Sequence, residues 1–100
     1  MGWGGDISDG FQRGLMRAAE EFGLQVDSSN ESINATTSYL YEVIDQWPFD
    51  LSGPFVRCIA EVIGIASAAR LANGYPTLTR DQVIGYIAHS ADILDSLKHA

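Results

Sequence analysis

The sequence SGPFVRCIAEVIGIASAARLANG, residues 52–74, decides the fold, because it reads as one helix that is apolar on nearly every side. Only Arg57, Glu61 and Arg70 carry charge within it, and nearly all its other side chains are aliphatic, aromatic or small. A helix without a polar face is covered by its neighbours, so we expect this segment at the centre of the fold. Gly74 stands where a helix-ending glycine is expected.

Three further segments place apolar residues at the three- and four-residue intervals of a helix. The predicted helices cover about residues 7–22, 29–47, 53–73 and 80–98, and no useful length shows the alternation of a strand. Four helices of moderate length joined by short links are typical of an all-α, four-helix bundle. We therefore expect one domain over all 100 residues, with residues 1–5 as a flexible leader.

The same spacing predicts which side chains the outer helices bury. In the first helix they are Ile7, Phe11, Leu15, Ala18 and Phe22. In the fourth helix they are Val83, Ile84, Ile87, Ala91, Leu94 and Leu97. Thr79 and Gln82 form a capping box at the start of the fourth helix. Its short link to the central helix predicts that these two helices form an antiparallel hairpin.

Two rows of small residues would allow another backbone to approach closely. They are Gly10, Gly14 and Ala18 in the first helix, and Ala60, Gly64 and Ala68 in the central helix. One explanation is tight packing within the chain, and the other is a seam between two copies in a homodimer. The rows by themselves do not separate these explanations.

The net charge of the chain is −7 and is concentrated in its first half. Residues 1–50 hold nine acids and two bases, whereas residues 51–100 hold four of each. Such a field repels nucleic acid and anionic lipid and favours encounter with a basic protein surface. A simpler explanation is that the acidity keeps the protein soluble.

Two candidate surfaces for a protein partner follow from these patterns. The first is an acidic set at the end of the first helix and on the second: Glu20, Glu21, Asp27, Glu31, Glu42 and Asp45. The second, the helix-four face, lies opposite the apolar stripe of the fourth helix and bears Tyr86, His89 and Ile93. Such exposed groups are typical of protein-binding surfaces, although single exposed apolar residues are also common without a partner.

No motif for catalysis, metal binding or nucleotide binding stands out in the sequence. His89 and His99 share a helix side with Asp92, but they lie about 15 Å apart along the axis, too far for one zinc ion. Cys58 has no histidine near it in sequence and is expected to be a buried structural thiol. We therefore predict no enzyme, no cofactor, no metal, no direct nucleic-acid or membrane contact, and a cytosolic location.

The function predicted from size, charge and helix content is that of a small acidic module. It would bind a larger protein and cover a basic surface on it, such as one that binds nucleic acid. In size and charge, though not in any motif, the chain resembles phage-encoded inhibitors of bacterial defence such as anti-CRISPR proteins. The alternative is a structural or assembly subunit that self-associates through the small-residue rows.

Overall fold

The computed structural model describes residues 4–26, 31–48 and 50–98, and every regular element within these ranges is a helix. In chain order the helices are α1 (Gly4–Phe22), α2 (Glu31–Asp45), α3 (Gly53–Ala72) and α4 (Arg80–Lys98). All four begin and end within three residues of the predicted positions, and the all-α bundle is confirmed. Because α1 begins at Gly4, part of the predicted leader is helical, and residues 1–3 lie outside the described ranges.

The ends of α1 and α3 carry residues that supply the hydrogen bonds or dihedral angles that a helix end needs. Ser52 caps the start of α3, because its Oγ accepts a hydrogen bond from the N–H of Phe55 at 3.2 Å. Pro54 occupies the first turn, where the missing N–H costs nothing. Gly23 and Gly74 follow α1 and α3 with φ of 67° and 80°, a left-handed conformation that favours glycine.

The start of α4 has the predicted capping box. The N–H of Thr79 donates to Gln82 Oε1 at 2.9 Å, and the N–H of Gln82 donates to Thr79 Oγ1 at 3.2 Å. Leu78 and Val83, which flank this turn, are both buried in the core. Two otherwise unpaired backbone donors are thus satisfied where the helix begins.

α1 and α3 form the closest helix pair and run in the same direction. Near their N-termini Arg57 Nη2 donates to Asp6 Oδ1 at 2.9 Å, and further along both helices Arg17 Nη1 donates to Glu61. The contacts therefore advance along the two helices together. The segment between them, which contains α2, carries the chain back to the end of the bundle where α3 starts.

Glycines allow α1 and α3 to pack backbone against backbone. A Cβ atom on Gly64 would lie 3.2 Å from the Cα of Gly14, and one on Gly10 would lie 2.9 Å from the Cβ of Ala60. A Cβ atom on Gly14 would overlap the carbonyl oxygen of Glu61. The two small-residue rows therefore meet inside one chain, where they are buried and not available to a second copy.

α4 packs more closely with α2 than with α3, so the predicted hairpin of α3 and α4 is not its main pairing. The connection into α4 is hydrogen-bonded to α2, because Thr77 Oγ1 donates to the carbonyl of Ser32 at 2.9 Å. The buried Thr36 hydroxyl also donates to the carbonyl of Leu78 at 3.3 Å. These bonds hold the start of α4 against α2, while the small-residue side of α3 is already covered by α1.

One core runs through the four helices and contains most of the side chains that the spacing predicts. Confirmed members are Ile7, Phe11, Leu15, Ala18, Val83 and Ile87. Two predictions are wrong, since Phe22 is 59% exposed and Leu97 is 69% exposed. Phe22 is the last residue of α1, and Leu97 lies only about 20° around α4 from the exposed Tyr86. The side chain of Leu94 lies outside what the structure describes.

α3 is buried mainly on one side, so the expectation that its neighbours cover nearly all of it is wrong. Ile63 is fully buried, whereas the adjacent Val62 is 45% exposed. Cys58 is exposed as well, contrary to the prediction of a buried thiol. The physical reason is that α1 makes most of the contact with α3, and α2 and α4 reach it much less.

Candidate protein-binding surface

Ion pairs between described residues neutralise part of the predicted acidic set. Arg17 Nε donates to Glu21 Oε2 at 2.8 Å, and the same side chain reaches Glu61 through Nη1. The hydrogen bonds to Glu21 and to Glu61 raise the pKa of Arg17. Arg80 Nε donates to Glu42 Oε1 at 3.0 Å, which links α4 to α2. Glu21 and Glu42 are therefore compensated within the chain.

Other members of the acidic set are exposed and have no ion pair with a described residue. Glu31 and Asp45 lie at the two ends of one outward side of α2, with the exposed Ser38 midway between them. Glu20, near the end of α1, is likewise exposed and unpaired within the described residues. Asp27 lies outside the described residues. The acidic set is thus reduced to three described carboxylates that are free to meet a partner.

The arginines do little to offset these carboxylates, because four of the five make other contacts within the described residues. Arg70 Nε donates to the carbonyl of Pro76 at 2.7 Å, and its guanidinium lies 5.9 Å from the centroid of the Tyr75 ring. Of the five arginines only Arg13 lacks a hydrogen bond, ion pair or ring contact among the described residues. Further exposed carboxylates without an ion pair in the described ranges are Asp9, Asp50, Asp81 and Asp92.

The helix-four face is exposed as predicted. Tyr86 is 38% exposed, Ile93 is 49% exposed, and His89 lies between them on the same outward side. The exposed Leu97 follows Ile93 by one turn and extends the apolar surface. Every side chain that the structure describes within residues 92–97 is exposed.

The two candidate surfaces are separate in the network of polar contacts. Among the described residues, no hydrogen bond or ion pair joins Glu31 or Asp45 to the helix-four face. The Glu42–Arg80 pair connects α2 only to the first turn of α4, about 9 Å along the axis before Tyr86. Glu31, Ser38 and Asp45 therefore lie together on one side of α2. The exposed apolar residues of α4 form a separate surface.

The described residues form neither a metal-binding cluster nor a membrane-spanning helix. Within the described ranges, no three His, Cys, Asp or Glu side chains lie close enough together to hold a metal ion. His99, which the spacing places on one helix side with His89, lies outside those ranges. None of the described helices has both the length and the apolar character of a membrane-spanning segment.

No protein-family model, no curated protein and no solved structure matches the chain. The two surfaces are therefore interpreted from their own charges, exposure and contacts. The unpaired carboxylates are the more extensive feature, and the helix-four face is the more apolar one.

Proposed function

We propose that this domain binds a larger protein through a basic surface of that protein and acts as an inhibitor by covering it. The observation that supports this most is the imbalance between anions and cations at the surface. Seven described carboxylates are exposed without an ion pair, whereas all but one of the arginines are engaged inside the chain. The resulting field attracts a positively charged surface and speeds the encounter with it.

The side of α2 that bears Glu31 and Asp45 is the proposed centre of this contact. These carboxylates are separated by about 21 Å along the helix axis, since a helix rises about 1.5 Å per residue. Neither has an ion pair with a described residue that must break before it meets a cation of the partner, whereas Glu42 must first leave Arg80. Carboxylates held on a rigid helix can take the places that phosphates take on a basic groove, so we infer that the partner binds nucleic acid.

Solubility is the simpler explanation of the charge, and it makes a different prediction. Solubility depends on net charge and is nearly indifferent to which carboxylates supply it. Recognition depends on where the carboxylates lie, because charges beyond about 10 Å in 0.1 M salt are largely screened from each other. Two variants with equal net charge but different positions therefore separate the two explanations.

The test is displacement of proteins from DNA-cellulose that carries an extract of the organism encoding this chain. We expect the wild-type protein to elute a discrete DNA-binding protein at low salt and to lose this ability as the salt concentration rises. The Glu31→Gln/Asp45→Asn variant should elute it poorly. The matched control is Asp9→Asn/Asp50→Asn, which changes the net charge equally at other exposed positions and should elute it as the wild type does.

Two results would contradict the proposal. One is equal elution by both variants, because the positions of the substituted carboxylates would then make no difference to binding. The other is equal elution by an unrelated protein of similar acidity, such as serum albumin, which would reduce the effect to general anion exchange. Circular dichroism of each variant confirms that the helices are intact before the result is read.

A further inference from the structure

We propose that the outward side of α3 binds the same side of a second copy of this chain, so that the protein forms a weak homodimer. This contact goes beyond the proposed function, which uses α2. Its surface is the α3 outer stripe, which we define as Phe55, Cys58, Val62, Ile65, Ala66 and Ala69. The stripe lies on the other side of the helix from the row of small residues that packs against α1.

The α3 outer stripe is a continuous side of the helix. At 3.6 residues per turn its members fall within an arc of about 100° and span about 21 Å along the axis. Val62, near the middle of the arc, is 45% exposed, Cys58 is exposed, and the other members are half-buried. Ile63, about 100° from Val62, is fully buried. Apolar surface therefore reaches water along most of the length of α3.

The charged residues that flank the stripe are engaged within the chain. Glu61, the only acid in α3, lies about 100° around the axis from Val62 and pairs with Arg17. Arg70 lies about 80° from Val62 on the other side, and its Nε donates to the carbonyl of Pro76. The stripe itself carries no charge, so a helix that packs on it meets an uncharged apolar surface.

This absence of charge identifies the occupant. A basic partner would find no unpaired carboxylate on α3, because Glu61 already has its arginine. A second copy supplies a helix side that is equally apolar and of the same length, and two such stripes meet without bringing like charges together. A two-fold dimer uses the same patch on both subunits, so one stripe is sufficient for both sides of the contact. Charge complementarity therefore favours a second copy over a basic protein.

The size of the stripe determines how strong the dimer is. A surface about 21 Å long and about 10 Å wide, the diameter of a helix, covers roughly 200 Å² on each copy. A stable interface buries about 800 Å² on each partner. Two chains that each carry a net charge of −7 also repel each other. We therefore expect a dimer that dissociates on dilution.

Sedimentation of the full chain between about 10 μM and about 1 mM measures this association, since that range covers the dissociation constants of weak complexes. We expect Val62→Glu to raise the dissociation constant at least about tenfold, because it places a carboxylate against the apolar stripe of the other copy. The matched control is Met16→Glu, which changes the net charge equally. Met16 is 58% exposed and lies about 160° around α1 from Gly14, so this variant should change the dissociation constant less than about twofold.

Salt dependence and the thiol of Cys58 give two further readouts on the wild-type contact. Added salt should tighten the dimer, because it screens the repulsion between two acidic chains and no ion pair holds them together. Cys58 is the single cysteine, so a long bismaleimide should join two wild-type chains covalently. The same reagent should join chains of Cys58→Ser/Met16→Cys at least about tenfold more slowly, because that thiol lies outside the contact.

The inference is overturned if the wild type stays monomeric at about 1 mM, the upper end of the range for weak complexes. It is also overturned if Val62→Glu and Met16→Glu weaken the dimer equally, or if salt dissociates it. The variant Glu31→Gln/Asp45→Asn, which tests the proposed function, lies outside this contact and should dimerise at least as well as the wild type. Loss of displacement from DNA-cellulose by that variant is therefore distinguishable from loss of the dimer.

Discussion

Among the described glycines, Gly14 leaves the least room for a Cβ atom, so replacing it by alanine should destabilise the protein. Its new Cβ would lie 3.0 Å from the carbonyl carbon of Glu61, 3.1 Å from its Cα, and closer still to its oxygen. These are backbone atoms of α3, so the clash is relieved only if the two helices move apart. Overpacking of this kind costs typically about 1–3 kcal/mol, and we expect the upper end of that range. The higher helix propensity of alanine raises the free energy of unfolding by about 1 kcal/mol, so the net decrease is about 2 kcal/mol.

Gly85 provides the matched control, because it also lies inside a helix but has no atom within 4 Å of an added Cβ. Gly85→Ala therefore gains only the propensity term and should raise the free energy of unfolding by about 0.5–1 kcal/mol. Urea unfolding followed at 222 nm measures both variants. For a domain of this size, 1 kcal/mol corresponds to about 4–8 °C in Tm, so Gly14→Ala should melt roughly 8–16 °C lower. Equal shifts of the same sign for both variants would refute the backbone-to-backbone packing of α1 and α3.

Three other predictions follow from caps, burial and exposure. Thr79→Ala removes the hydroxyl that accepts from Gln82 and should lower the free energy of unfolding by about 1 kcal/mol in a urea titration. Ile87→Ala should lower the free energy of unfolding by about 2–5 kcal/mol, because the side chain is fully buried. Leu97→Ala should change the free energy of unfolding by less than about 0.5 kcal/mol, because that side chain is exposed. Cys58 should react with Ellman's reagent in the native protein, and a reaction that waits for unfolding would show that the thiol is covered.

Most of the fold could be predicted because its signals are local. The interval between apolar residues fixes where a helix lies, and the caps fix where it ends, as Ser52, Thr79 and Gly74 show. The pairing of the helices could not be predicted in the same way. Short links favour packing between neighbours in sequence, but small residues bring α1 to α3, and the hydroxyls of Thr36 and Thr77 bind the start of α4 to α2.

Burial at helix ends was the other property that the spacing could not give. Periodicity shows which side of a helix faces its neighbours, and it assigns Phe22 and Leu97 to that side. It does not show how far the neighbouring helices extend. Leu97 lies about 20° around α4 from the exposed Tyr86 and about 80° from the buried Ile87, so it is exposed.

The charge distribution shows the same limit for the candidate site. Counting along the sequence places the uncompensated charge in the first half, but the fold brings Arg57 to Asp6 and Arg80 to Glu42 across that division. Glu31 and Asp45, at the two ends of one side of α2, are among the carboxylates that have no ion pair with a described residue. Each intrachain pair removes one carboxylate and one cation from contact with a partner, so pairing leaves the net charge unchanged while it lowers the number of free arginines. A surface with few free cations repels a basic partner little. Its selectivity then depends on where the unpaired carboxylates lie, and only the fold determines those positions.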